Sequence, residues 1–192
     1  MQERAARTRR ALVQAAASEF DRYGYAGTSL VQVCKTAGIT TGALTFHFRS
    51  KSELADAVQA EGCTAIRRVV EHFARGHSPA LERLVELTLS LARLLEDETA
   101  VRSAARLTRE RPANDLGWAS CWLPAVGELA YRAQRTGQLR AGTQPAAVAH
   151  LAAYLLVGTE MRVRTSLQAA REPDAVQQLE QMWNLALRGI MP

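Results

Sequence analysis

The chain has 192 residues, 47% of them hydrophobic, and its 24 Lys and Arg outnumber 19 Asp and Glu to leave a formal charge of +5. That length accommodates one ordinary domain or a small one fused to a larger one, with a sizeable core. No run of 18 apolar residues occurs and the start MQERAARTRR lacks an apolar stretch, so neither a membrane span nor a signal peptide is expected, and the expected location is cytoplasmic.

The charge is uneven. Residues 1–54 hold eight Lys and Arg against four acids, whereas the remainder is nearly balanced. A basic head on a neutral body is the electrostatic pattern of a nucleic-acid-binding segment joined to a regulatory one. In chain order, Leu12, Ala16, Phe20 and Tyr23 fall on one helical stripe that ends at Gly24. Thr28 and Ser29 are N-cap residue types. Leu30, Val33 and Cys34 follow at helical spacing, and Ala37-Gly38 marks the end of a short helix. Gly38 supplies a tight turn into a second short helix, Thr40 to Phe46. This is a helix-turn-helix, whose second helix is the one that enters a DNA major groove, although a purely structural helix pair carries the same apolar spacing.

Ser50 opens a longer segment reaching about Arg75, expected to connect head and body, and residues 76–79 break the chain. Apolar residues between Leu81 and Leu95 cover most of a helix circumference, which predicts an enclosed central helix. A shorter helix is expected over Ala100 to Glu110, a loop over 111–115, and a further helix from Trp118 to Thr136, closed by Gly137. Thr143 and Pro145 open a long helix to about Leu167, and Pro173 introduces a last one to about Leu187. The predicted fold class is therefore all-α. The stripes Val148, Leu151, Ala152, Leu155, Leu156, Thr159 and Leu179, Met182, Trp183, Ala186, Leu187, Ile190 can pack on each other. Small residues such as Ala147, Ala149, Ala153 and Gly158 permit a further close helix, either within the subunit or in a homodimeric four-helix bundle.

The stretch from Val33 to Leu54 resembles the N-terminal DNA-binding segment of the tetracycline-repressor (TetR) family. Its matching places are Val33-Cys34, Ala37-Gly38-Ile39, Thr40, the Leu44 to Phe48 run, and Ser50-Lys51-x-x-Leu54. The resemblance implies a helix-turn-helix DNA-binding domain at 1–54, a connecting helix at about 50–75, and a ligand-binding and dimerisation domain at 76–192. It implies a homodimer on a palindromic double-stranded DNA operator, with Thr28, Ser29, Thr40, Thr41, Gly42, Ala43, Thr45, Phe46, His47 and Lys51 at the interface. Two places depart from the family pattern. Thr45 stands where most members have Tyr, and Thr41 where many have Lys or Arg; both changes remove expected phosphate contacts, so that binding is either weaker than in the family at large or supported elsewhere by Arg9, Arg10, Lys35 or Arg49.

Residues 99–192 are similar to the γ-butyrolactone receptors of actinomycetes. Val101 to Glu110, then Trp122, Leu129, Ala133 and Gly137-Gln138-Leu139, and more weakly Met182-Trp183 and Ile190 to Pro192, carry this likeness. It implies a pocket for a small, largely apolar lactone, furan or butenolide beside Trp122. From the residues themselves, Trp118 lies one turn earlier so that both indoles can face one side, and Thr88, Ser90 and Arg106 are candidates for orienting ligand oxygens, although a hydroxyl on a helix more often bonds its own backbone. Read from the residues alone, indoles on a buried helix are more often plain core than pocket. The expected function is a repressor released from its operator by a small γ-butyrolactone-like signal; the alternative is a related pseudo-receptor sensing an antibiotic, furan or butenolide, or a regulator with no small ligand. Catalytic residues, metal ligands and cofactors are not expected. The four His have no ligand spacing, no Gly-rich phosphate loop occurs, and Cys34, Cys63 and Cys121 read as reduced core residues rather than disulfides.

Overall fold

A computed structural model describes residues 2–111, 117–169 and 174–192. Among the described residues there is no strand, and the fold is all-α. Helix α1 (Gln2–Gly27) is interrupted at Gly24, whose φ of 74° and ψ of 177° are non-helical. Helix α2 (Leu30–Ala37) is capped by Ser29, which accepts the Gln32 N–H at 3.1 Å. It stops at Gly38, whose φ of 63° takes the left-handed form that costs glycine least. Thr40 then caps α3 (Thr41–His47) by accepting the Ala43 N–H. Ser50 accepts the Glu53 N–H at the head of α4 (Lys51–Ala74), while Glu53 reaches back to the Arg49 N–H.

The later helices are α5 (Ala80–Asp97), α6 (Thr99–Glu110), α7 (Leu123–Arg135), α8 (Pro145–Gln168) and α9 (Ala175–Ile190). The helix expected from Trp118 begins five residues late. Trp118–Cys121 is a 3-10 turn, and Trp122 is the N-cap residue of α7. Pro124 explains the shift, because a proline is tolerated in the first turn of an α-helix but would break an intrahelical hydrogen bond if the helix had started at Trp118. Cys63 and Cys121 also differ from expectation: both are disulfide-bonded, while Cys34 keeps a buried free thiol. Pairing depends on distance in space, which residue spacing does not reveal.

The chain forms two compact units, residues 1–64 with 98–118, and residues 65–97 with 119–192. In the first, Leu12, Ala16 and Phe20 of α1 pack with Val33 and Cys34 of α2, Leu44 of α3, Phe48, and Leu54 and Val58 of α4, all nearly or wholly excluded from solvent. Each such large apolar side chain contributes about 1.5–3 kcal/mol. Residues 98–118 group with this unit because α6 lies along α1 and buries Leu107 in the same core.

In the second unit α5 is the enclosed helix that its apolar circumference predicts, packed against α7, α8 and α9. Leu84, Leu87, Leu91 and Leu95 are fully or almost fully buried. The Trp183 indole N–H of α9 donates to Thr88 Oγ1 at 2.8 Å, and the Thr88 hydroxyl donates to the Val85 carbonyl at 2.7 Å.

Candidate nucleic-acid interface and ligand residues

The caps at Ser29 and Thr40 and the turn at Gly38 hold α2 and α3 so that Leu44 is fully buried while Thr41, Gly42, Thr45 and Phe46 are exposed. Those four positions fall on one side of α3, while Ala43 and His47 are half-buried. The face carries no full charge. Phe46 is 80% exposed and meets the His47 ring edge-on at 5.2 Å, and the Thr45 hydroxyl donates to the Gly42 carbonyl of its own helix. Such a face can offer apolar contact to thymine methyls and close backbone approach at Gly42 rather than phosphate neutralisation. The same unit carries exposed cationic groups, Arg9, Arg10, Lys35 and Arg49, with Arg9 lying over the Phe48 ring at 5.0 Å.

Several of the expected interface residues have structural duties. Thr28 is 3% exposed and donates its hydroxyl to the Gly24 carbonyl. Lys51 Nζ donates to the Thr28 carbonyl at 2.7 Å and lies 4.5 Å from the Tyr25 ring centroid. Ser29 is exposed, but its oxygen is used by the Gln32 N–H.

The segment Gly24 to Thr28 is also gripped from α6. Arg102 pairs with Asp21 at 2.8 Å, and Arg106 donates to the Asp21 carbonyl and to Glu110. Glu110 in turn accepts the Tyr25 N–H. Arg111 binds Asp56 and Ser52 of α4 and also lies 5.0 Å from the Tyr25 ring centroid. Partial burial of the Glu110 carboxyl alone would raise its pKa; the hydrogen bond from Arg106, the one from the Tyr25 N–H, and the charges of Arg106 and Arg109 overcome this and hold it below 4.5. Local spacing carried no sign of Tyr25, Glu110 and Arg111, since Tyr25 and Glu110 meet across 85 residues of chain.

The residues expected to meet a ligand are drawn from both units. Trp122, Thr88 and Ser90 belong to the second unit, Trp118 and Arg106 to the first. Trp122 is 1% exposed, Thr88 is committed to Trp183 and Val85, and Ser90 is half-buried. Arg106 ties α6 to α1. Trp118, 6% exposed, anchors its turn by donating its backbone N–H to Thr108.

Residues 12–58 match the family of bacterial regulatory proteins called the tetR family. The chain is 29% identical over 191 residues to the A-factor receptor protein of Streptomyces griseus, covering 98% of this chain and 66% of that protein, just short of two thirds of its length. A crystal structure of an ArpA-like γ-butyrolactone receptor superposes with a TM-score of 0.81 at 29% identity, covering 98% of this chain and 90% of that one. CprB, a TetR-family protein from Streptomyces coelicolor solved with its biological operator sequence, gives a TM-score of 0.80 at 33% identity over the same shares.

Proposed function

The chain belongs to the TetR family of bacterial regulatory proteins, and from that premise we propose that it is a homodimeric repressor released from a palindromic operator by a small γ-butyrolactone-like signal. One observation carries the reading furthest: the likeness to an A-factor receptor extends over 98% of the chain instead of stopping at the helix-turn-helix. On this reading residues 1–54 form the DNA-binding domain and 76–192 the ligand-binding and dimerisation domain. The exposed side of α3 enters the major groove, and the surrounding arginines and lysine meet phosphates.

A second copy has a surface to dock on. Tyr154, Val157 and Met161 of α8 are 75%, 48% and 61% exposed, and Met182 and Leu185 of α9 add 43% and 60%. On α8 these side chains and Gly158 fall at i, i+3, i+4 and i+7, an apolar stripe that a matching stripe would cover. Two symmetric heads would then reach half-sites about one helical turn, or a multiple, apart.

The signal is assigned to the apolar surroundings of Trp122. A ligand favouring the DNA-incompetent state by 100-fold shifts the equilibrium by about 2.7 kcal/mol per site, enough to empty an operator held with modest excess affinity. Helix α6 supplies a route within the first unit, since moving Arg102, Arg106 and Glu110 displaces Asp21, Gly24 and Tyr25, immediately ahead of α2. The test is a genomic duplex selection followed by mobility-shift titration with γ-butyrolactones, butenolides, furans and antibiotics. Release by a lactone supports the proposal, release by an antibiotic alone replaces the signal, and a monomer that selects no duplex refutes the reading.

A further inference from the structure

The second unit carries two adjoining depressions of opposite character, away from Trp122. One is a cleft of 560 Å³ between the start of α5 and the end of α7, lined by His77, Arg83, Arg132 and Arg135, with Glu128 as its one carboxylate. Glu128 is already paired with Arg132 at 2.8 Å. Arg83 is 6% exposed and is held by neutral groups: its Nη1 donates to the carbonyls of Phe73 and Gly76, closing the end of α4. Its buried Nε has no hydrogen-bond partner, and no carboxylate pairs with it among the described residues. A buried cation with a donor unspent is costly unless an anion joins it. The cleft therefore holds more positive charge than the protein itself balances.

The other depression is a groove of 460 Å³ walled by Leu81, Val85, Leu187, Met191 and Pro192. Pro79 and Gln138 line both depressions. Gln138 is fixed there, accepting the Leu81 N–H through Oε1 and donating Nε2 to Thr136. Glu82 and Glu86 edge the groove, so negative charge stands on the groove side and positive charge on the cleft side.

We propose that cleft and groove form one site for an amphipathic anion, with an oxyanion head against Arg83, Arg132 and Arg135 and an apolar body along Leu81, Val85 and Leu187. The charge asymmetry admits the ligand in one orientation, because a head turned into the groove would meet Glu82 and Glu86. Both volumes fall in the range of small-molecule sites. Carboxylate and phosphate heads share the required chemistry: planar guanidinium groups bind both through paired N–H donors. This site is independent of the operator and of the signal assigned to Trp122.

Isothermal titration of the full chain at constant ionic strength, below micelle-forming concentrations, tests it with decanoate, decyl phosphate, decanol and acetate. One of the two amphipathic anions binds with one site per chain, and decanol and acetate bind at least tenfold more weakly. The tighter of the two anions identifies the head. Arg135→Gln and Arg132→Gln change exposed side chains, and each weakens the anion by roughly tenfold while leaving decanol unchanged. Met191→Glu, half-exposed in the groove, weakens the anion by a similar factor without altering acetate. Decanol binding as tightly as decanoate, or wild-type anion affinity in both arginine variants, overturns the proposal.

Discussion

Gly24→Ala is the perturbation with the clearest physical consequence. The backbone there, at φ 74° and ψ 177°, lies in a region that essentially only glycine occupies, so alanine incurs about 1–3 kcal/mol of strain. Space is short as well: a Cβ would sit 2.6 Å from Glu110 Oε1 and 2.7 Å from both Arg106 Nη2 and Glu110 Oε2. To clear it the carboxylate must leave the Tyr25 N–H, a charge-assisted hydrogen bond of about 1.5–3 kcal/mol before its solvent exposure is discounted. Together these predict a loss of about 2–4 kcal/mol, a large share of a typical total of about 5–15. Denaturant unfolding of Gly24→Ala, Glu110→Ala and the double variant measures it. Truncating Glu110 removes the obstacle, so the double variant should be more stable than the sum of the single losses by about 1 kcal/mol. A Gly24→Ala loss below about 0.5 kcal/mol, inside the range of an ordinary surface substitution, refutes the strain argument, and strict additivity refutes the collision.

Four further outcomes follow from the same geometry. Lys51→Ala lowers stability through loss of the Thr28 and Tyr25 contacts, and lowers the salt slope of operator binding by about 0.9 if its ammonium also meets a phosphate; an unchanged slope would show that its duty is wholly structural. Thr88→Val leaves the Trp183 indole N–H without its acceptor in the core and costs about 1–3 kcal/mol by thermal unfolding, with Trp183→Phe in the same chain recovering part of it. Trp122→Phe retains operator binding in a mobility-shift assay while losing release by the signal; unimpaired release would make Trp122 a core residue only. The Glu110 pKa is depressed, so its contribution is fully present above about 4.5, the ordinary glutamate value, and fades as pH falls through the lower folded value; a urea midpoint series should show this acid loss in wild type and less of it in Glu110→Gln.

Local rules account for what could be read before the structure. Ser29, Gly38, Thr40 and Ser50 act within four residues of themselves, and each takes the cap or turn that its type prescribes. The apolar circumference of α5 likewise announces an enclosed helix. Pro124 is an equally local signal, and it marks the start of α7 at Leu123. The remaining site features depend on partners remote in sequence. Lys51 is drawn to a carbonyl 23 residues away, and Thr88 is taken by an indole 95 residues away. A side-chain hydroxyl on a helix looks the same in sequence whether it faces a ligand or another side chain. The amphipathic depressions at Pro79 and Gln138 are likewise assembled from segments more than 50 residues apart.

The uncharged side of α3 also bears on how such a protein spends its time on a chromosome. Bulk DNA holds a protein by its phosphates, with little regard to sequence. If α3 is the reading helix, as proposed above, its Thr41, Gly42, Thr45 and Phe46 add nothing to that grip and reward only a groove whose shape and methyl groups fit. Dwell times on random sequence would then be shorter than with a charged α3, and fewer copies would be sequestered by the excess of wrong sites. A repressor of this kind would keep one operator occupied with fewer molecules per cell, which would make the regulated gene responsive to a correspondingly small amount of signal.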